Sequence, residues 1–175
     1  MTMEHMGVIV EVWPVAADQA GIWLLSGQDA LRSDRIPSDS EPHWEVEALL
    51  GYGAKAEAAL LHSTSWRIDG SHIVLTYMAV IAAADLVRAD WPGAMPIAAE
   101  LLPTVGNPAP HGAAEVPAPR YVDVLMHGLR HLRFLLDTDA GARGVLTGRW
   151  AQHIAAMEPA LAGMYLSQET PASLR

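Results

Sequence analysis

The sequence predicts an α+β domain, and three observations carry that reading. Two β-branched apolar runs lie near the N terminus, GVIVEVWPV at 7–15 and GIWLLS at 21–26, separated by the turn-like Ala-Asp-Gln-Ala. A second strand–turn–strand unit, LLHSTSWRIDGSHIVLTY at 60–77, turns on Asp69-Gly70. Beyond residue 120 the apolar positions recur at helical spacing instead of alternating. The expected architecture is a small mixed sheet of two hairpins with a packed helix, plus a C-terminal helical pair.

Taken in order, MTMEHM is polar and aperiodic and reads as a frayed end. The first hairpin comes next. Residues 27–42 turn polar and close on SDSEP, where Ser38, Asp39 or Ser40 is a candidate N-cap and Pro42 suits a first helical turn. From His43 to His62, the spacing of Val46, Leu49, Leu50, Leu60 and Leu61 predicts a helix that Gly51 and Gly53 weaken in the middle and divide in two.

For the second hairpin, a two-residue turn at Asp69-Gly70 pairs Ile68 with Ser71, Arg67 with His72 and Trp66 with Ile73. That register sorts the side chains cleanly. Trp66, Ile68, Ile73, Leu75, Tyr77, Ala79 and Ile81 form an expected core face. Ser63, Ser65, Arg67, His72 and Thr76 form a polar face, with Val74, Met78 and Val80 beside them.

Helical turns are expected over Ala82–Ala89 and near Pro96–Leu102. The stretch 103–119 holds five prolines and reads as an extended connector. RYVDVLMHGLRHLRFLLD then forms a helix with Val122, Leu125, Leu129, Leu132 and Leu136 on one stripe. Asp137-Thr138-Asp139 offers a cap for another helical segment, and RWAQHIAAMEPALAGMY supplies a last helix interrupted at Pro159. The domain organisation is thus an α+β part over 1–102, the connector over 103–119, and helices over 120–175 packed on the first part.

Composition narrows function. With 175 residues, 51% of them apolar, the chain is long enough for a sizeable core. A net charge of −9 with a single lysine, Lys55, disfavours a nucleic-acid backbone as partner, because phosphate neutralisation needs clustered cations. With no cysteine there is no disulfide, thiolate metal site or thiol nucleophile. The longest nearly apolar run, Ile73 to Ala84, is about half a membrane span, so no membrane partner is expected and a cytoplasmic location is. No G-x-S-x-G turn surrounds Ser63 or Ser65, which argues against serine hydrolysis.

The order of elements, together with GAKAEAALLHSTSW at 53–66, resembles the layout of a Nudix domain over roughly residues 7–90. The resemblance implies a helix beside a mixed sheet and a Glu-rich magnesium site, but only Glu57 lies where that site would be, and His62, Ser63 and Thr64 occupy the places where an arginine and paired glutamates are required. Nudix catalysis is therefore not implied, and a divergent metal-dependent phosphohydrolase is a second alternative. The leading expectation is a non-catalytic domain binding a small anionic or nucleotide-like ligand through Ser63, Ser65, Arg67, His72 and Thr76, with Arg67 as a forked donor. The first alternative is a protein-interaction or assembly module, including a homo-oligomer. Asp123, His127 and His131 recur one helical turn apart, a spacing that two imidazoles use to share a metal. Their place on a polar helix face beside Arg130 favours solvation instead, and no cofactor is expected. Of the six tryptophans, Trp44 is the expected exposed exception.

Overall fold

A computed structural model describes residues 7–37, 39–82, 90–98 and 119–161, without the side chains of 52–57. The expectations for the first six residues, for Ala83–Ala89, for residues 99–102, for the connector up to residue 118 and for the chain after residue 161 lie outside the described residues.

The molecule is α+β. Strands β1 (Gly7–Ala17), β2 (Ile22–Leu24), β3 (Leu31–Arg32), β4 (Ala58–Asp69), β5 (His72–Ile81) and β6 (Met95–Pro96) form one mixed sheet. Its order is β4-β5-β1-β2-β6, with β3 also pairing β1. Both expected hairpins are present, and β1 lies parallel to β5 from Gly7↔His72 to Val15↔Val80. The first hairpin turns on Asp18, whose Oδ1 accepts from the backbone N–H groups of Ala20 and Gly21 at 2.8 and 3.1 Å.

Alternation along β1 and β5 divides the core in two. Val10, Val12, Ala16, Ala79 and Ile81 face helix α1 (Pro42–Glu57) through Val46 and Leu50. Trp13, Val15, Met78 and Val80 face the C-terminal helices α2 (Tyr121–Thr138), α3 (Ala140–Val145) and α4 (Arg149–Ile154). The helices after the connector therefore pack on the first part of the chain. In α2 the expected leucine stripe is buried at Leu125, Leu129 and Leu132. Gly128 brings the helix close to the sheet, since a Cβ there would stand 2.6 Å from Met78 Sδ. Asp139 caps α3 through a 2.7 Å bond accepted from the Ala142 N–H.

Four expectations need correction. Helix α1 starts at Pro42, behind Glu41, and ends at Glu57, not His62. It is kinked where Gly51 adopts φ 71°, so the expected division is real. Residues 58–62 belong to β4, because pairing with β5 (Ala58↔Ile81, Leu60↔Val80, Leu61↔Ala79) overrides their local helical spacing. Leu60 and Leu61 consequently pack against opposite cores, as neighbours on a strand must. Pro96 is not helical but continues β6 against Trp23.

The turn of the second hairpin is Gly70-Ser71, flanked by Asp69↔His72, with Gly70 at φ 60°. Pairing is displaced by two residues from the expected register, which leaves the side chains from Ser65 onward on their assigned faces because the strand period is two. The last correction concerns which of those faces is buried. Trp66 and Ile68, expected in the core, are 66% and 64% exposed, whereas Thr76 and Glu11 on the opposite face are 0% and 4% exposed.

Candidate functional site

The distal end of the β4–β5 hairpin extends beyond the helices, and its two faces differ in chemistry. On the α2 side, β1 carries a lone carboxylate, Glu11, within an otherwise apolar central strand. Arg67 answers it with a bidentate fork, Nη2 donating to Oε2 at 2.6 Å and Nη1 to Oε1 at 3.0 Å. Arg67 Nη1 also donates to the Thr76 hydroxyl at 3.2 Å, that hydroxyl donates to Glu11 Oε1 at 3.3 Å, and Trp13 Nε1 donates to the same oxygen at 3.1 Å. Burial alone would raise the Glu11 carboxyl pKa. The bonds and charge of Arg67, helped by Trp13 and Arg32, outweigh it and hold the group below its usual range. Further out, Arg32 Nη2 pairs with Asp69 Oδ2 at 2.9 Å in an exposed bridge.

The structure thus brings Arg67 and Thr76 together, with Ser65 opposite Thr76 in the register. His72 sits half-buried at the strand end, and Ser63 is displaced. A β-bulge between Ser63 and Ser65 inserts Thr64 as an extra residue, so Ser63 falls opposite Tyr77, on the other face, and is exposed. The five residues do not form one polar surface. Glu11, the residue that organises this face, was not among the expected site residues. Its signal was available in the sequence, because a charge flanked by valines in a central strand requires a buried partner.

On the opposite face, Trp66 and Ile68 stand beside their cross-strand partners Leu75 and Ile73, which are only half-buried. Tyr77 continues the row, and Glu41 lies close enough to push its hydroxyl pKa further up, beyond the effect of burial. Trp44, whose backbone N–H donates to the Glu41 carbonyl, is 71% exposed, as expected. Among the described residues, α1 covers Ala79 and Ile81 and leaves this outer end bare.

The three α2 candidates are used separately. Asp123 accepts from Arg120 Nε and Nη2, both at 2.9 Å, in a capping box at the helix start. His127 hydrogen-bonds the Thr64 backbone in the bulge, and burial lowers its pKa. His131 is not solvated: it is 5% exposed and stacks on His62 with ring centroids 5.0 Å apart. Among the described residues, no group of three His, Asp or Glu side chains is arranged to hold a metal ion.

A cavity of about 180 Å³ opens at the C-terminal ends of β1 and β5, lined by Ala17, Val80, Val145, Arg149 and Trp150 among others. It falls below the roughly 300 Å³ at which small-molecule sites begin. No family model, curated protein or solved structure matches this chain.

Proposed function

We infer that this chain is a protein-interaction module that docks a partner on the bare face of the β4–β5 hairpin. The observation that carries the reading is the exposure of Trp66 and Ile68, at 66% and 64%, side by side on a sheet face with Ile73 and Leu75 between them and the core. Large apolar side chains in a contiguous patch are costly to leave in water, and aromatic residues anchor protein interfaces. The opposite face supports the same reading by elimination: a small anion at Arg67 would have to displace Glu11 from a bidentate bond.

The docked segment is apolar and basic. Glu41 borders the patch beside Tyr77, Glu45 lies in the first turn of α1, and the chain carries a net charge of −9. The same charge opposes a second copy of this chain as the occupant. Docking is by side-chain packing and not by strand addition, because the bulge at Thr64 and the inward-pointing Arg67 are devices that discourage pairing along an edge strand.

Two synthetic amphipathic peptides, one of Leu and Lys and one of Leu and Glu, provide the test by NMR titration of the full chain. The basic peptide should saturably shift amides of residues 66–68 and 73–77, and Trp66→Ser with Ile68→Thr should abolish those shifts. Equal binding of both peptides, or no shift in the hairpin, would overturn the reading. Light scattering that finds a dimer lost in the same double variant would assign the face to a second copy instead.

A further inference from the structure

Three histidines meet at the joint between the hairpin and α2, and the docking reading uses none of them. His62 comes from β4, where the Thr64 bulge turns it to the α2 side opposite Met78. His127 and His131 come from successive turns of α2. His131 is 5% exposed, and its ring has only a weak contact with the Ala160 backbone in place of a well-formed hydrogen bond. Its ring is packed between His62 at 5.0 Å and Phe134 at 6.0 Å, with interplanar angles of 20° and 37°. A buried imidazole this poorly partnered is stable only while neutral.

We propose that the stacked His62–His131 pair is an acid-operated joint, in which protonation of either ring releases α2 from strand β4. The surrounding groups favour that outcome. From α2, His127 places like charge beside His131, and the buried Arg130 acts on His127 while its Nε donates to the Glu158 carbonyl at 2.9 Å. From the segment after α4, the Ala160 backbone only partly opposes the effect on His131. From the α2–α3 junction, Asp139 acts on His62, but its Oδ1 already accepts from the Ala142 N–H. β5 faces the joint with Met78, which carries no charge.

Linkage gives the direction. Burial, then His62 and His127, lower His131 to about 4, and burial lowers His62 as well. A histidine whose folded pKa lies below its free value near 6.5 contributes its full stability above that value. The contribution is lost as pH falls from 6.5 towards 4, because the released state takes up the proton. The opening equilibrium should then rise about tenfold per pH unit for each histidine that gains a proton on opening.

Hydrogen exchange on the full chain between pH 7.5 and 4.5, corrected for the intrinsic pH dependence of exchange, tests the joint. Protection of α2 amides should fall over this range while β1 and β2 remain protected, and His131→Phe should remove most of the slope. Equal slopes in wild type and His131→Phe, or loss of protection in β1 and β2 in step with α2, would overturn it. An NMR titration of wild-type imidazoles gives a reading independent of any variant's folding: His131 should titrate well below 6.5, and an ordinary value would defeat the proposal.

Discussion

The two faces of the outer β4–β5 hairpin are built from alternate residues of the same strands, yet they meet water in opposite ways. On one, Arg67 and Glu11 take charge into the sheet and satisfy it there, with side chains 24% and 6% exposed. On the other, Trp66 and Ile68 leave apolar surface outside. A buried ion pair is intolerant of losing either member, whereas an exposed apolar side chain has little to lose on truncation. Charge here is buried in the structure, and apolarity is left at the surface.

The largest expected effect comes from isolating a buried charge. Glu11→Ala leaves the Arg67 guanidinium and Trp13 Nε1 without their acceptor, and urea unfolding should show a loss of about 3–5 kcal/mol. Arg67→Ala strands the more deeply buried partner but should cost less, about 2–4 kcal/mol, because the Glu11 carboxylate can take up a proton whereas a stranded guanidinium cannot lose one. The double variant Glu11→Ala with Arg67→Ala should lose less than the sum of the two single losses. Additive losses in that cycle would show that the pair is not coupled.

Acid should act through the charged face in a window of its own. The Glu11 pKa is depressed, so its contribution is present above about 4.5 and is lost as pH falls below that. Glu11→Gln should flatten this lower limb of the stability curve and leave intact any loss between 6.5 and 4.5, where the histidines titrate. Should the upper limb vanish too, the two sites are not independent.

The smallest expected effect is at the bare face. Trp66→Ser and Ile68→Thr should each change stability by less than about 1 kcal/mol, as exposed positions do. A loss above roughly 3 kcal/mol on Trp66→Ser would mean the tryptophan is packed in the native state, and the contrast between the faces would collapse.

Much of this contrast is legible in the sequence. Strand period assigns Trp66, Ile68, Ile73 and Leu75 to one face and Arg67 and Thr76 to the other, and a two-residue error in register cannot disturb that. What alternation does not supply is coverage. The helix that would have hidden Trp66 covers the other end of the sheet, and Glu11 lies far along the chain from Arg67. The Thr64 bulge is equally invisible, since an inserted residue leaves no mark in a single sequence. It moves His62 towards α2 and Ser63 away from the polar set. The C-terminal stripe is legible because a helix carries its own period, but the burial of His131 opposite His62 depends on which strand α2 lies against.

The parallel pairing of β1 with β5 has a kinetic consequence. Each hairpin closes a short loop and can form early, but joining them requires Glu11 to meet Arg67 across a separation of 56 residues. The bidentate bond therefore belongs to the late side of the folding barrier. Substitutions at either end should speed unfolding far more than they slow refolding, giving φ values near zero, while changes at the Gly70-Ser71 turn should register on the refolding limb. The salt bridge would then act as a latch on lifetime, setting how long the assembled sheet persists instead of how quickly it is found.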